Sequence, residues 1–304
     1  MLRVITDDRP QDVLAALGDG EPVAVVPHTT ADTVAPGLQR AAEQSMPAGT
    51  WLVALTSGST AAPRAVCRTR NSWDASVAHL ADLTGTGAGC RVLVPGPVSS
   101  TLYLHAAWHA RQVGAEPVLA DPSGSWADSA WDVAHLVPHQ LARLVDDPAA
   151  EPAGRTAVVA GAALPAHLAE RARMRGLRVV TYYGSAELSF VAAGPGADMP
   201  GGATALRLFP EVDVDVRDGE IWVRSPYVAL DYLSTSGAPG SVGPAGSAGP
   251  WLRDPDGWST VGDRGRLAED NTLIVHGRGD AAVQTGGATV HVADAEHALR
   301  AHPG

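Results

Sequence analysis

Short β-branched runs alternate with Ala- and Leu-rich stretches of helical spacing through the first two thirds of this chain, and that alternation narrows the possible folds more than any other feature. PVAVV (22–26) reads as a buried strand, and TWLVAL (50–55) as a second that runs into a Ser/Thr/Gly loop. CRVLV (90–94), TLYLHAAWHARQV (101–113) and EPVLA (116–120) read as strand, helix and strand. TAVVAG (156–161), LPAHLAERARMRG (164–176) and LRVVTYY (177–183) repeat that unit. SWDASVAHLADL (72–83) has apolar residues at helical spacing, with Ser72 placed as its N-cap, and Gly176 is placed to stop a helix. Strands joined through helices make a mostly parallel sheet with helices on both faces, so the expected class is α/β. After about Gly201 the texture changes to ATALRLF, VDVDVRDGEIWVRS and NTLIVHG, short strands with turn signals such as Asp218-Gly219. The expected division is an α/β portion over 1–200 and a smaller antiparallel β-rich portion over 201–277. Asp213 and Asp215 alternate with Val along one of these strands and read as its solvated face, and the Gly/Pro/Ser-rich 236–250 reads as a surface loop.

Composition excludes several classes. All 22 basic residues are Arg, with no Lys, against 33 acidic residues, and the formal charge of -11 argues against a nucleic-acid or anionic-membrane surface. At 45% hydrophobic and 18% charged, 304 residues can bury a core in one large or two modest domains. Cys67 and Cys90 form no C-x-x-C pair and no disulfide framework, so they read as small buried hydrophobes in a reducing compartment. The N-terminal MLRVITDDRPQDVL lacks a signal-peptide pattern, and no stretch approaches the ~20 apolar residues of a membrane span, so a soluble cytoplasmic protein is expected. The eleven His residues show no zinc spacing.

Four segments carry residues suited to a nucleotide. Thr56-Ser57-Gly58-Ser59-Thr60-Ala61-Ala62-Pro63-Arg64 follows a strand directly. Hydroxyls, small residues and one cation in what reads as a strand-to-helix loop can surround phosphate oxygens, with Arg64 neutralising charge. Such loops also serve as ordinary connections, and this one is not the NTPase pattern G-x-x-x-x-G-K-(S/T). Tyr182-Tyr183-Gly184-Ser185-Ala186-Glu187 ends another strand: an aromatic can stack on a base, and Glu187 can hold a hard cation such as Mg²⁺. The same residues suit a surface turn with a solvated Glu. In Gly257-Trp258-Ser259-Thr260-Val261-Gly262-Asp263 and Gly277-Arg278-Gly279-Asp280, an Asp can accept from a ribose diol and an Arg can reach the sugar or a phosphate. Each taken alone reads better as a solvated turn or a salt bridge. No Ser sits in a G-x-S-x-G elbow, which leaves a hydrolase reading weak.

Taken together and in order, these segments resemble the adenylate-forming superfamily of acyl-CoA synthetases, peptide-synthetase adenylation domains and luciferases. Residues 56–64 follow its phosphate loop (S/T)-S-G-(S/T)-T-G-x-P-K, and Tyr183 to Glu187 its Y-G-x-(T/S)-E. Val159-Ala160-Gly161-Ala162-Ala163-Leu164-Pro165 is similar to its G-G-A-P-L segment, HLVPHQLARLV to V-P-x-x-L-x-x-L-L, and GWSTVGDRGRL to G-W-x-x-T-G-D-x-G. The final GRGDAAVQTGGATVHVADAEHALRAHPG resembles G-R-x-D-D-x-I-x-x-G-G-x-x-V-x-P-x-E-V-E. The compact spacing and Gly286-Gly287 look most like o-succinylbenzoate–CoA ligase-type members.

The resemblance implies activation of a carboxylic acid by ATP to acyl-AMP, then transfer to the thiol of CoA or of a carrier protein's phosphopantetheine. Thr56, Ser57, Gly58, Ser59 and Thr60 with Arg64 would cradle the triphosphate. Gly161, Ala162, Ala163 and Tyr183, with Gly184 and Ser185 beside them, would frame the adenine. Glu187 would hold Mg²⁺, and Asp263 and Arg278 would bind the ribose. Residues 278–304 would be a hinge at Asp280 and the start of a lid that this sequence does not contain. That lid carries the family's second lysine. The partners implied are a small carboxylic acid and either an acyl carrier protein or a separate lid domain, with no nucleic acid and no membrane. Residues 98–105 and 184–192 would line the acyl pocket.

Several positions depart from the pattern. Ala61 stands for Gly, Arg64 for Lys, and Ala186 for the Thr or Ser whose hydroxyl in the family touches the α-phosphate. An uncompensated hydrogen bond of that kind is worth about 1.5–3 kcal/mol. Gly96-Pro97-Val98-Ser99 stands where relatives often carry His near the acyl pocket. These departures leave open an alternative: a degenerate or lidless relative that binds nucleotide or acyl group and needs a partner for catalysis.

Overall fold

A computed structural model of the chain describes residues 1–56, 64–122, 124, 126, 129–198, 204–233, 251–278, 282–285 and 288–291; of 196–198, 278 and the last two segments it describes the backbone alone. Strand β1 (Arg3–Thr6), helix α1 (Pro10–Asp19), strand β2 (Val23–Val26), helix α2 (Ala31–Ser45) and strand β3 (Leu52–Leu55) make two successive crossovers, with β1 and β3 parallel to β2 on either side. Every residue of β2 and β3 is buried, so both sheet faces are covered. Ala24, Val26, Val53 and Leu55 pack in one cluster with Val34, Leu38 and Ala41 of α2. Helix α1 begins at Pro10, where a missing N–H leaves nothing unpaired, and stops at Gly20 with φ +82°. The indole N–H of Trp51 donates to the Leu17 carbonyl at 2.9 Å and satisfies an acceptor of the last turn of α1.

Strand β4 (Ala65–Arg68) runs antiparallel to β3, with Leu55 opposite Ala65. The connection 56–64, read from sequence as strand-to-helix, is therefore strand-to-strand. The single helix expected over 72–83 is also corrected. It forms as α3 (Asn71–Asp74) and α4 (Val77–Thr84), and Ser72 lies inside α3 instead of capping it. Thr69 does the capping, its hydroxyl accepting the Ser72 N–H at 3.0 Å. At the break, the Ser76 hydroxyl donates to the Trp73 carbonyl at 2.7 Å, local bonding that competes with the helical ladder.

Strand β5 (Arg91–Val94), helix α5 (Thr101–Gln112), strand β6 (Glu116–Leu119) and strand β7 (Val133–Leu136) follow, with β5 parallel to both β6 and β7. Residues 103–110 of α5 are buried, so His105 and His109 are core residues. Burial holds the imidazoles of His105, His109 and His135 neutral, lowering His105 well below the ordinary range, His109 to about 4 and His135 to about 3. Burial likewise pushes the Cys67 thiol up to about 12, which matches its reading as an inert small hydrophobe.

Helix α6 (Pro138–Asp146), strand β8 (Thr156–Val159), helix α7 (Ala166–Met174) and strand β9 (Arg178–Ser185) come next, β8 parallel to β9. Arg175 ties α7 to the end of α6, donating to the carbonyls of Val145 and Asp147 at 2.7 and 2.9 Å. The rest is strands: β10 (Ser189–Asp198), β11 (Thr204–Leu208), β12 (Asp213–Arg217), β13 (Glu220–Arg224), β14 (Asp231–Tyr232), β15 (Leu252–Arg253), β16 (Ser259–Thr260), β17 (Asp263–Leu267) and β18 (Thr272–Arg278). Strand β14 pairs with β4, while the others form the series β15-β16-β13-β17-β18-β11-β10-β9, with β12 on β13. A further pair, β19 (Ala282–Thr285) and β20 (Ala288–His291), stands apart. In the series that ends on β9, the antiparallel run thus begins at β9–β10, ahead of the texture change at Gly201. The β12–β13 turn has φ +50° at Asp218 and +81° at Gly219, the conformation an Asp-Gly hairpin favours. Asp213 pairs with Arg224 and Asp215 with Arg217, in line with a solvated strand face.

The described chain groups into two compact units, Met1–His135 with Pro226–Gly249, and Leu136–Ser225 with Pro250–Gly304. This spatial grouping follows contacts, whereas the division at residue 200 follows strand type. Among the described residues, no helix is long and apolar enough to cross a membrane.

Candidate nucleotide-binding site

The second unit holds most of the sequence-predicted site. Its strands β8 and β9 are parallel, with Val159 opposite Thr181, so β9 runs four residues past the end of β8, from Tyr182 to Ser185. Carboxyl ends of parallel strands are where open α/β sheets place ligands. The chain leaves β8 through Gly161, Ala162 and Ala163, all exposed, with Gly161 at φ +85°. Glycine adopts that backbone without strain, and nothing larger than a methyl group stands between a ligand and the main chain there.

Two candidate residues far apart in sequence meet directly. The Tyr183 hydroxyl donates to Oδ2 of Asp263 at 2.8 Å, both side chains half-buried. Asp263 opens β17 immediately after Gly262, whose φ is +79° and whose N–H donates to the hydroxyl of buried Thr260 at 3.0 Å. A buried threonine and a left-handed glycine thus set the direction from which the carboxylate projects. Arg278 lies opposite Asp263 in the β17–β18 register. Sequence reading assigned Tyr183 to the base and Asp263 to the sugar separately. Nothing local in either motif signals that the phenol and the carboxylate touch.

Beyond Tyr183, the chain turns sharply. A Cβ on Gly184 would stand 1.8 Å from the Ser189 carbonyl oxygen, so glycine is required by close backbone approach. The Ser185 hydroxyl accepts the N–H groups of Glu187 and Leu188 at 3.3 and 3.1 Å, shaping the turn 186–188 between β9 and β10. This turn-forming role was missed in the sequence, although Ser followed by two or three turn residues is its usual signal. Glu187 is only 5% exposed, which does not suit a solvated surface carboxylate. Among the described residues no three His, Cys, Asp or Glu side chains converge on a metal position. A single protein carboxylate is a donor set that Mg²⁺ can use, since it commonly takes one or two and completes its shell with water and phosphate oxygens.

Thr56 and Arg64 belong to the first unit. The Thr56 N–H donates to the Arg64 carbonyl at 2.9 Å, and the Arg64 N–H to the Thr56 hydroxyl at 3.2 Å, so the two ends of the loop clasp each other. Ser57, Gly58, Ser59, Thr60 and Ala61 between them lie outside the described residues, as do Asp280, Gly286-Gly287 and the loop 236–250. In the segment suspected of lining an acyl pocket, the Tyr103 ring covers Gly96; a Cβ there would fall 2.0 Å from the ring. A larger side chain at 96 would have to displace Tyr103.

Residues 3–233 match the profile of a family described as AMP-binding enzyme. The 2-succinylbenzoate–CoA ligase of Escherichia coli is 28% identical over 250 residues, covering 82% of this chain and 52% of the relative. An uncharacterized acyl–CoA ligase of Bacillus subtilis is 25% identical over 268 residues, covering 82% and 52%. Among solved structures, E. coli MenE with a bound phenylether-linked analogue of OSB-AMS superposes with TM-score 0.66 at 26% identity, over 84% of this chain and 54% of that one. Unliganded B. subtilis MenE superposes with TM-score 0.72 over 99% of this chain and 77% of that one; at 18% identity it bears on the fold alone. The chain spans about half the length of the curated relatives it matches.

Proposed function

The chain belongs to the AMP-binding enzyme family, and from that premise we propose that it forms the nucleotide-binding body of an acid–thiol ligase. The reaction couples a carboxylic acid and ATP to acyl-AMP and pyrophosphate, after which a thiol, of CoA or of a carrier-protein phosphopantetheine, displaces AMP. Mg²⁺, when bound, neutralises phosphate charge in such a displacement. The observation that carries the reading is the Tyr183–Asp263 pair, set beside the small-residue loop Gly161–Ala163 at the carboxyl end of a parallel strand pair. Tyr183 offers a flat apolar face for a base, and Asp263 offers acceptors for sugar hydroxyls. Buried Glu187 is the protein carboxylate for Mg²⁺, and Arg278 a second sugar contact. Thr56 and Arg64 hold the ends of the phosphate loop, in which Ser57, Gly58, Ser59 and Thr60 supply donors. The work asked of these residues is orientation and charge neutralisation, the main contributions to phosphoryl-centre displacement.

The relatives named for 2-succinylbenzoate favour an aryl or keto acid as the first substrates to try. ATP–pyrophosphate exchange with a panel of aryl and alkyl acids, read alongside mass-spectrometric detection of acyl-AMP, tests the reading. Acid-dependent exchange is expected. A chain that binds nucleotide yet supports no exchange with any acid would instead favour the second reading, a nucleotide- or acyl-binding subunit completed by a partner. Ala61, Arg64 and Ala186 at positions of the family's Gly, Lys and Thr or Ser motivate that alternative.

A further inference from the structure

We propose that Tyr183 is a positioning residue for Asp263, and that its hydroxyl sets how strictly the site demands a ribose diol. The inference rests on the adenine-nucleotide reading above and goes beyond stacking as the role of the ring. The phenol donates to Oδ2 of Asp263 at 2.8 Å, a charge-assisted bond between residues eighty positions apart. With one oxygen held by the phenol and the backbone direction set by Gly262 and Thr260, the acceptor geometry is established before a sugar arrives. An acceptor organised in advance loses less ordering entropy on binding, so more of each sugar hydrogen bond reaches the affinity. The same residue would then join the two ends of the nucleoside: its ring serves the base and its hydroxyl serves the sugar-binding carboxylate.

Isothermal titration of the full chain with ATP and with 2′,3′-dideoxy-ATP separates these roles, because the dideoxy nucleotide keeps the base and phosphates and lacks the diol. Wild type is expected to prefer ATP by about tenfold or more. Tyr183→Phe keeps the ring and should lower ATP affinity by about tenfold, leaving dideoxy-ATP affinity within about twofold. In an Asp263→Ala background the same substitution should change neither affinity, since the group it positions is gone. Asp263→Asn keeps an acceptor for the phenol and should retain part of the preference that Asp263→Ala abolishes, which also covers the case in which Tyr183→Phe does not fold. Equal weakening of both nucleotides by Tyr183→Phe, or no change in either, overturns the inference while leaving the nucleotide reading intact. Equal binding of both nucleotides by wild type overturns it by removing Asp263 as diol acceptor. Absence of any adenine-nucleotide binding by wild type removes the nucleotide reading and the inference together.

Discussion

Gly184 and Gly262 sit near each other in function and differ in what forbids a side chain. At Gly184 a Cβ would strike the Ser189 carbonyl at 1.8 Å, and backbone cannot swing aside as a side-chain tip can. Gly184→Ala is therefore expected to cost more than about 3 kcal/mol in urea denaturation. Gly262 has open space and a φ of +79°, so Gly262→Ala should cost only the left-handed penalty of about 1–2 kcal/mol. The motif at 183–187 signalled a functional glycine; that its necessity is steric, through a bulged hairpin, emerges only once β10 lies against β9. A second residue-scale prediction concerns pH. His109 is buried and its folded value falls to about 4 from an ordinary 6.5, so between those limits the unfolded chain binds the extra proton. Stability from this group is complete above pH ~6.5 and is lost as pH falls towards 4, on the order of 3 kcal/mol in all. His135 acts in the same direction over a window reaching about 3. Denaturation midpoints at pH 7.5 and 5.0 should differ less in His109→Leu than in wild type.

At the scale of elements, the β3–β4 hairpin differs most from the sequence reading. A Ser/Thr/Gly loop after a buried strand is usually followed by a helix in nucleotide-binding folds, and AVCR is too short to declare itself by periodicity. Its pairing with β3 on one side and β14 on the other makes it a strand. The consequence is that the loop joins two strands and is closed by Thr56 and Arg64. Thr56→Val removes one of the two closing bonds. It should lower stability by about 1 kcal/mol and weaken ATP binding several-fold, whereas Thr56→Ser keeps the acceptor and should keep both. Denaturation and ATP titration of the two variants check this. The helix read over 72–83 broke for a related reason: Thr69 and Ser76 hydroxyls offer local partners that a pattern of apolar spacing does not register.

At the scale of the whole molecule, the first unit is discontinuous in sequence. Residues 226–233 return to it, and β14 pairs with β4 through Asp231–Cys67 and Tyr232–Val66. Leu233 enters the same core cluster as Val53 and Cys67, and the guanidinium of buried Arg68 donates to the Tyr227 carbonyl. A fragment of residues 1–135 would expose that core and strand Arg68 without this acceptor, so it should fail to unfold cooperatively by circular dichroism. Joining residues 226–233 to it through a flexible linker should restore a cooperative transition.

Sequence alone determined the α/β class, most strands and helices of the first two thirds, the family and the identity of the candidate site residues. Those features are local: periodicity, turn chemistry and short motifs act over a few residues. Tertiary structure decided what depends on which distant segments become neighbours. It made the 56–64 connection the link of a hairpin, returned 226–233 to the first unit, made Gly184 irreplaceable and brought the Tyr183 hydroxyl onto Asp263. Each of these is a contact between segments whose encounter no local pattern encodes, because strand pairing partners are chosen by the packing of the whole sheet.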